Sequence, residues 1–316
     1  MKTILTDNPV LISFSAALVS AFLMFLCVGF SVEVLFDYGL ALFLGVPFFV
    51  GIITPVINGI NGFKTFKSNF KCTMLALLYL SLALFIFAIE GVMCLVMAAP
   101  LSIGIAAIGT LCGHMVHKKF HAEHQILSLL IIVMGLPALM SFEGSLNVEP
   151  TIYKVESTIL IEAPIEEVWN EVVSFQKIKD PEEMIFKIGI AYPKMARIEG
   201  VGVGAIRYCE FSTGAFVEPI TRWEAPHLLA FDVEEQPLPM IELSPYDIDP
   251  AHLHGYFTSV NGQFTLKAVE GGTEVIGTTW YYIKMGPEWY WKNWTDYIIH
   301  QIHDRVLFSI KDYTEA

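Results

Sequence analysis

Pro287-Glu288-Trp289-Tyr290-Trp291-Lys292-Asn293-Trp294-Thr295-Asp296-Tyr297-Ile298-Ile299-His300-Gln301-Ile302-His303-Asp304-Arg305-Val306-Leu307-Phe308-Ser309-Ile310-Lys311-Asp312-Tyr313 decides how this chain is read. Pro287 suits the first turn of a helix, where a missing N–H costs nothing. Neither Gly nor Pro follows it, so one helix can run to Tyr313, roughly 40 Å at 1.5 Å per residue. The first half is aromatic, with Trp289, Tyr290, Trp291, Trp294 and Tyr297. The second half carries an apolar stripe, Ile298, Ile302, Leu307 and Ile310, with His300, His303 and Arg305 between. A helix this long and this apolar needs a cover.

The residues before it supply one. Val155–Ile161 alternates as a strand, and Glu162-Ala163-Pro164 leads into a helix over Ile165–Val173, with Val168, Trp169 and Val172 on one face. Gly200-Val201-Gly202-Val203-Gly204 is a turn; no helical pattern follows it, so it is not a phosphate-binding loop. Strands follow at Ala205–Phe211, at Ala215–Trp223 beyond Ser212-Thr213-Gly214, and at Leu228–Val233 beyond Pro226. Residues 236–251, with Pro237, Pro239, Pro245 and Pro250, read as an irregular excursion. Gly255–Val269 and Thr273–Met285 form a hairpin about Glu270-Gly271-Gly272. The expected architecture over 148–316 is an α+β domain, a curved antiparallel sheet around the long C-terminal helix. A cavity between sheet and helix is where such a domain would bind a small molecule.

Residues 1–147 read differently. They hold six Lys/Arg and six Asp/Glu, whereas residues 148–316 hold thirteen and twenty-six and carry the whole net charge of −13. A neutral apolar half before an acidic one predicts a transmembrane region followed by a globular domain. The acidic domain argues against a nucleic-acid partner. About five spans are expected, near 10–30, 39–60, 72–92, 98–117 and 126–142. The first is a retained helix, since a signal peptide has a shorter apolar core and a small-residue cleavage site. Pro47 and Pro55 kink the second. The apolar run from Cys72 to Gly113 is 42 residues long and must fold back, with its turn within 91–100.

Lys2, Lys64, Lys67, Lys71, Lys118 and Lys119 fall on one side of such a bundle, and Glu33, Asp37, Glu90 and Glu143 on the other. The positive-inside rule then places the N-terminus in the cytoplasm and the C-terminal domain outside an inner (cytoplasmic) membrane. If 126–142, with its Pro137, does not cross, the domain is cytoplasmic. Glu90 is either a functional intramembrane acid or a hydrated turn residue. His114, His117, His121 and His124 share one helical face and read as an interfacial extension of the fourth span. The five cysteines show no CxxC and no disulfide framework, and read as small buried side chains. No metal site and no cofactor are expected.

Ser157-Thr158-Ile159-Leu160-Ile161-Glu162-Ala163-Pro164-Ile165-Glu166-Glu167-Val168-Trp169 resembles the opening of the START-like (SRPBCC) superfamily, the polyketide cyclase and lipid-transport group with the helix-grip fold. Three further stretches are similar to a bacterial group of membrane-anchored polyketide-cyclase-like proteins. They are Gly204–Gly214 with Glu218-Pro219-Ile220, Gly277-Thr278-Thr279-Trp280-Tyr281, and Tyr290-Trp291 through Ile299–Leu307. The superfamily likeness covers 155–314, and the narrower one extends into Glu90–Pro100. The resemblance implies the fold. It implies no reaction, because the superfamily holds lipid carriers, quinone chaperones, cyclases and hydrolases.

Arg207, Cys209 and Phe211 alternate on one face of their strand. An inward Arg207 would need a carboxylate, either Glu218 or an acidic head group on a ligand. Cys209 as a nucleophile would need a base and a lowered pKa. His300 and His303 either brace the sheet or act as an acid–base pair, and His252 and His254 are the other histidines of the domain. Arg305 reads as a structural cation. The ligand-binding candidates are Arg207, Cys209, Phe211, Glu218, Trp280, Trp291, Trp294, His300 and His303; the catalytic candidates are His300, His303 and Glu218. The leading expectation is a membrane-anchored module that binds or transfers a hydrophobic small molecule such as a lipid, quinone or polyketide. The alternatives are a cyclase- or hydrolase-type enzyme on such a ligand, and a structural or signalling partner of another membrane protein.

Overall fold

The structure, a computed structural model, describes residues 9–36, 38–60, 62–119, 135–146, 149–246, 248 and 250–316. The chain divides into two compact units. One comprises Met1–Val148, Glu242–Ala251 and Met285–Pro287; the other comprises Glu149–Ile241, His252–Lys284 and Glu288–Ala316.

In the first unit, α1 (Pro9–Gly29) continues as π-helical turns over Phe30–Leu35, and a second π-helical stretch, Ala41–Gly45, leads into α2 (Val46–Asn58). Then come α3 (Phe66–Ile86), α4 (Val92–Lys119) and a helix over 135–144, α5. Four helices are long and apolar enough to cross a membrane among the described residues, against the five expected. Of the expected span 126–142, residues 126–134 lie outside the described residues, as do His121 and His124 and the side chain of His117.

The fold-back between α3 and α4 falls at 87–91, earlier than the 91–100 expected. Ala88 adopts a φ of 59°, and the N–H groups of Phe87, Ala88 and Ile89 return to the carbonyls of Ala83, Phe85 and Leu84, closing α3. The first turn of α4 is satisfied from afar, since Val92 N–H donates to the Leu243 carbonyl at 3.2 Å and Met93 N–H to Glu242 Oε2 at 3.1 Å. With its first turn capped there, α4 runs on through Pro100.

Helices α2 and α4 touch backbone to backbone. A Cβ on Gly109 would stand 2.2 Å from the Phe48 carbonyl oxygen, and one on Gly113 would stand 2.5 Å from that of Ile52. Small residues four apart are how apolar helices approach closely where no hydrophobic force draws them together. A polar chain joins the four helices. The Ser13 hydroxyl donates to Asn58 Oδ1 and the Asn58 amide to Asn69 Oδ1, both at 2.9 Å; the Asn69 amide donates to His114 Nδ1 at 3.1 Å. His114, expected at a wet interface, is thus tied to the bundle.

The second unit holds β1 (Tyr153–Ile161), α6 (Ile165–Val173), a single turn α7 (Met184–Lys187), β2 (Pro193–Glu199), β3 (Ile206–Phe211), β4 (Gly214–Glu224), β5 (Leu228–Asp232), β6 (Phe257–Val269), β7 (Gly272–Ile283) and α8 (Glu288–Thr314). The seven strands form one antiparallel sheet in the order β1-β7-β6-β5-β4-β3-β2. Both edge strands, β1 and β2, pack against α8, so the sheet curls around the helix. Strand β2 escaped the sequence reading: it opens on a proline, as edge strands can, and is short and half charged.

The buried face of α8 also differs from the expected stripe. Ile299, Val306, Leu307 and Ile310 are buried, with Trp291 and Arg305, whereas Ile298 and Ile302 are half-buried. The face that meets the sheet is turned by about one residue from the one read from isoleucine spacing. Arg305 pairs structurally, with backbone carbonyls. Its Nε donates to Pro193 O at 3.1 Å and its Nη2 to Lys179 O, while its guanidinium lies 5.2 Å from the Tyr192 ring. That ties α8 to edge strand β2.

Candidate functional site

Between the sheet and α8 the second unit holds a cavity of about 120 Å³. Strand β3 turns Arg207, Cys209 and Phe211 toward it, and Glu218 joins from β4. Arg207 and Glu218 are direct cross-strand partners in the β3–β4 register, so their side chains rise from adjacent points of the same face. Arg207 Nη1 donates to Glu218 Oε2, and the two residues are only 2% and 5% exposed. Three rings surround the guanidinium, Phe231 at 5.3 Å, Phe175 at 5.6 Å and Phe264 at 5.7 Å. An arginine buried among ring faces keeps its charge and gains cation–π attraction.

This setting fixes the chemistry of its neighbours. Burial pushes the Glu218 carboxyl above its ordinary value, against the pull of the Arg207 charge. Burial, and then the Glu218 charge, push the Cys209 thiol up to about 12, even with Arg207 beside it. Cys209 therefore stays a thiol at neutral pH and does not meet the requirement for a nucleophile.

His303 also lines the cavity. Its Nε2 lies 2.8 Å from Thr279 Oγ1 and its Nδ1 3.1 Å from Ser157 Oγ. Ser157 Oγ also lies 2.8 Å from Nδ1 of His300. One hydroxyl, with one proton and two lone pairs, thus links both histidines to β1. Burial, and then the neighbouring His300, bring His303 down to about 4, so it is neutral at physiological pH. Both ring nitrogens being engaged, the histidines brace the helix against the sheet.

Of the residues singled out in the sequence, Arg207, Cys209, Phe211, Glu218 and His303 line the cavity. Trp280, Trp291, Trp294, His300, His252 and His254 are not among its lining residues. Trp280 lies under Lys154 Nζ, 5.7 Å from its ring centre, and His300 is exposed. The start of α8 is held by polar contacts. The Tyr153 hydroxyl donates to Glu288 and that of Tyr281 to Asp296, each at 2.5 Å, and Lys292 pairs with Asp296.

The sequence reading missed Phe231, Phe264, Asn261 and Thr279, all in the lining. Their strands were legible, but which face of each strand turned inward was not. Two lining groups are buried without a hydrogen-bond partner among the described residues, Arg207 Nε and Asn261 Oδ1. They are one donor and one acceptor in a mostly apolar space that also holds hydrogen-bonded Thr279 and His303.

No protein-family profile matches the chain, and no curated protein matches it. Solved structures do. A Nitrosospira multiformis protein is 18% identical over 51% of this chain and 96% of its own, with a TM-score of 0.32. The di-domain ARO/CYC StfQ from the steffimycin biosynthetic pathway is 9% identical over 61% of this chain and 60% of its own, with a TM-score of 0.35. A Thalictrum norcoclaurine synthase point mutant is 11% identical over 53% of this chain and 97% of its own, with a TM-score of 0.33. Likenesses at this level assign neither ligand nor reaction.

Proposed function

We propose that this protein is a membrane-attached START-like binding module. Its helix-grip domain holds a small apolar molecule, or the apolar end of a larger amphiphile such as a lipid, quinone or polyketide, between the sheet and α8. The observation that carries this reading is the orphan Arg207 Nε in the wall of an apolar cavity. A buried donor without a partner costs about 1–3 kcal/mol, which a ligand acceptor would recover. Four apolar helices in the same chain keep the domain at a bilayer and raise the local concentration of such a ligand. The enzyme reading has less support, because Cys209 stays protonated and both ring nitrogens of His303 are bonded to hydroxyls.

Native mass spectrometry of the detergent-purified chain, with extraction of what co-purifies, tests the binding reading. A discrete small molecule that is lost when the cavity is filled supports it; repeated purification of an empty chain overturns it. A second reading, a structural partner of another membrane protein, is favoured by the aromatic walls that leave only about 120 Å³ open. The domain is proposed to lie outside the cytoplasm of a bacterial inner membrane, which requires that 126–142 cross. A reporter fused after Ala316 that is active only in the cytoplasm would overturn that placement.

A further inference from the structure

The helical unit has a cavity of its own, about 350 Å³, within the size range of ligand sites. Its walls come from α1 with its π-helical extension, the start of α2, α3 and α4, and are almost wholly apolar. Five lining residues are the exceptions. Tyr38 and Glu90 are 1% and 5% exposed, and the Tyr38 hydroxyl donates to Glu90 Oε1 at 2.7 Å. Cys94 lies one turn into α4 beside them, and Ser81 and Ser102 complete the polar lining.

Among the described residues, Glu90 is the one charged residue in that lining. A carboxyl group among membrane-spanning helices is costly to keep and stands by default where something is bound or moved. Here the fold invests further in it. The left-handed turn at Ala88 closes α3 just before it, and the distant acceptors Glu242 and Leu243 start α4 just after it. A carboxylate offers about four lone-pair sites on two oxygens, so Glu90 can accept from a ligand while accepting from Tyr38.

We infer that this cavity is a second binding site, for an amphiphile with an apolar body and a single hydrogen-bond-donating head. The body lies between α3 and α4 and the head donates to Glu90. The inference is independent of the helix-grip cavity, and either site can fail without the other.

The test uses the full chain in lipid nanodiscs and two photoreactive probes, a diazirine-bearing long-chain fatty alcohol and its methyl ether. They share an apolar body, and only the alcohol has a donor. Cross-linked peptides are mapped by mass spectrometry. The alcohol is expected to label 74–103 about tenfold more than the ether, the fold-change that one hydrogen bond to a charged group supports. Ala98→Phe, which fills the cavity from α4, is expected to abolish that labelling. Equal labelling by the two probes overturns the inference, and that comparison needs no variant to fold. Labelling that persists in A98F protein of unchanged size-exclusion profile overturns it as well.

Discussion

His303 Nε2 stands 2.8 Å from Thr279 Oγ1, so a side chain of α8 is bonded directly to β7, the strand beside edge strand β1. Burial, and then the neighbouring His300, keep the ring neutral. In the folded domain His303 titrates at about 4 against an ordinary 6.5. A depressed pKa contributes stability that is complete above pH 6.5 and is lost as the pH falls through 4. The loss approaches about 3 kcal/mol. All six tryptophans, at 169, 223, 280, 289, 291 and 294, lie in the second unit, so their fluorescence reports its unfolding alone. Urea midpoints are expected to fall between pH 7 and pH 4.5, and His303→Gln to start lower and fall less. Parallel slopes for the two proteins would rule this out.

The Arg207–Glu218 pair makes a second prediction. Glu218→Leu strands a buried guanidinium and is expected to cost about 3–5 kcal/mol. Adding Arg207→Met should restore most of that, because two apolar residues need no mutual desolvation. The double variant should fold yet lose any co-purifying ligand. A double variant as unstable as the single one would show that the pair does more than neutralise itself.

Cys209 should be inert while the domain is folded. With its thiol raised to about 12, only ~1 part in 10,000 is thiolate at pH 8. Iodoacetamide followed by peptide mapping is expected to modify Cys209 only after denaturation. Rapid modification of the native protein would restore a nucleophilic role.

Two glycines bound the helix-grip cavity differently. A Cβ at Gly277 meets Phe264 at 3.7 Å and His303 at 3.9 Å, ordinary contact distances, so Gly277→Ala should fold normally and only narrow the space. A Cβ at Gly262 falls 2.7 Å from the Phe231 ring, so Gly262→Ala must displace it, at about 1–3 kcal/mol. Thermal unfolding should separate the two variants; equal stabilities would mean the β5–β6 contact is looser than described.

In the helical unit, Gly109→Leu is expected to part α2 from α4, at about 3 kcal/mol or more. Gly104→Leu is the control, since nothing lies within 4 Å of its Cβ position. A thermal aggregation assay in detergent should show a lower midpoint for Gly109→Leu alone. Equal midpoints would remove the close helix contact from the account.

Much of the chain was legible in order. The alternation of β1, the helix Ile165–Val173 and the hairpin about Glu270-Gly271 lie where local pattern put them, because period two, period 3.6 and a Gly turn are properties of neighbouring residues. The errors share a cause. Local pattern put the fold-back within 91–100, but α4 already starts at Val92, where Glu242 and Leu243, some 150 residues away, cap it. The close-packing role of Gly109-Thr110-Leu111-Cys112-Gly113 shows only once Phe48 and Ile52 are beside it.

The aromatic and apolar run from Pro287 settled on its own that a long helix ends the chain and must be covered, since burial of its apolar surface has no other source. Which of its faces is covered came from the fold. The curl of the sheet brings β1 and β2 to opposite flanks of α8, turns Ile299, Val306 and Ile310 inward, and sets His303 against Thr279 and Ser157. The partnership of Arg207 with Glu218 is of the same kind. Their residue types allowed the pairing, but cross-strand register placed them opposite each other, and register is a relation between strands that neither strand carries alone.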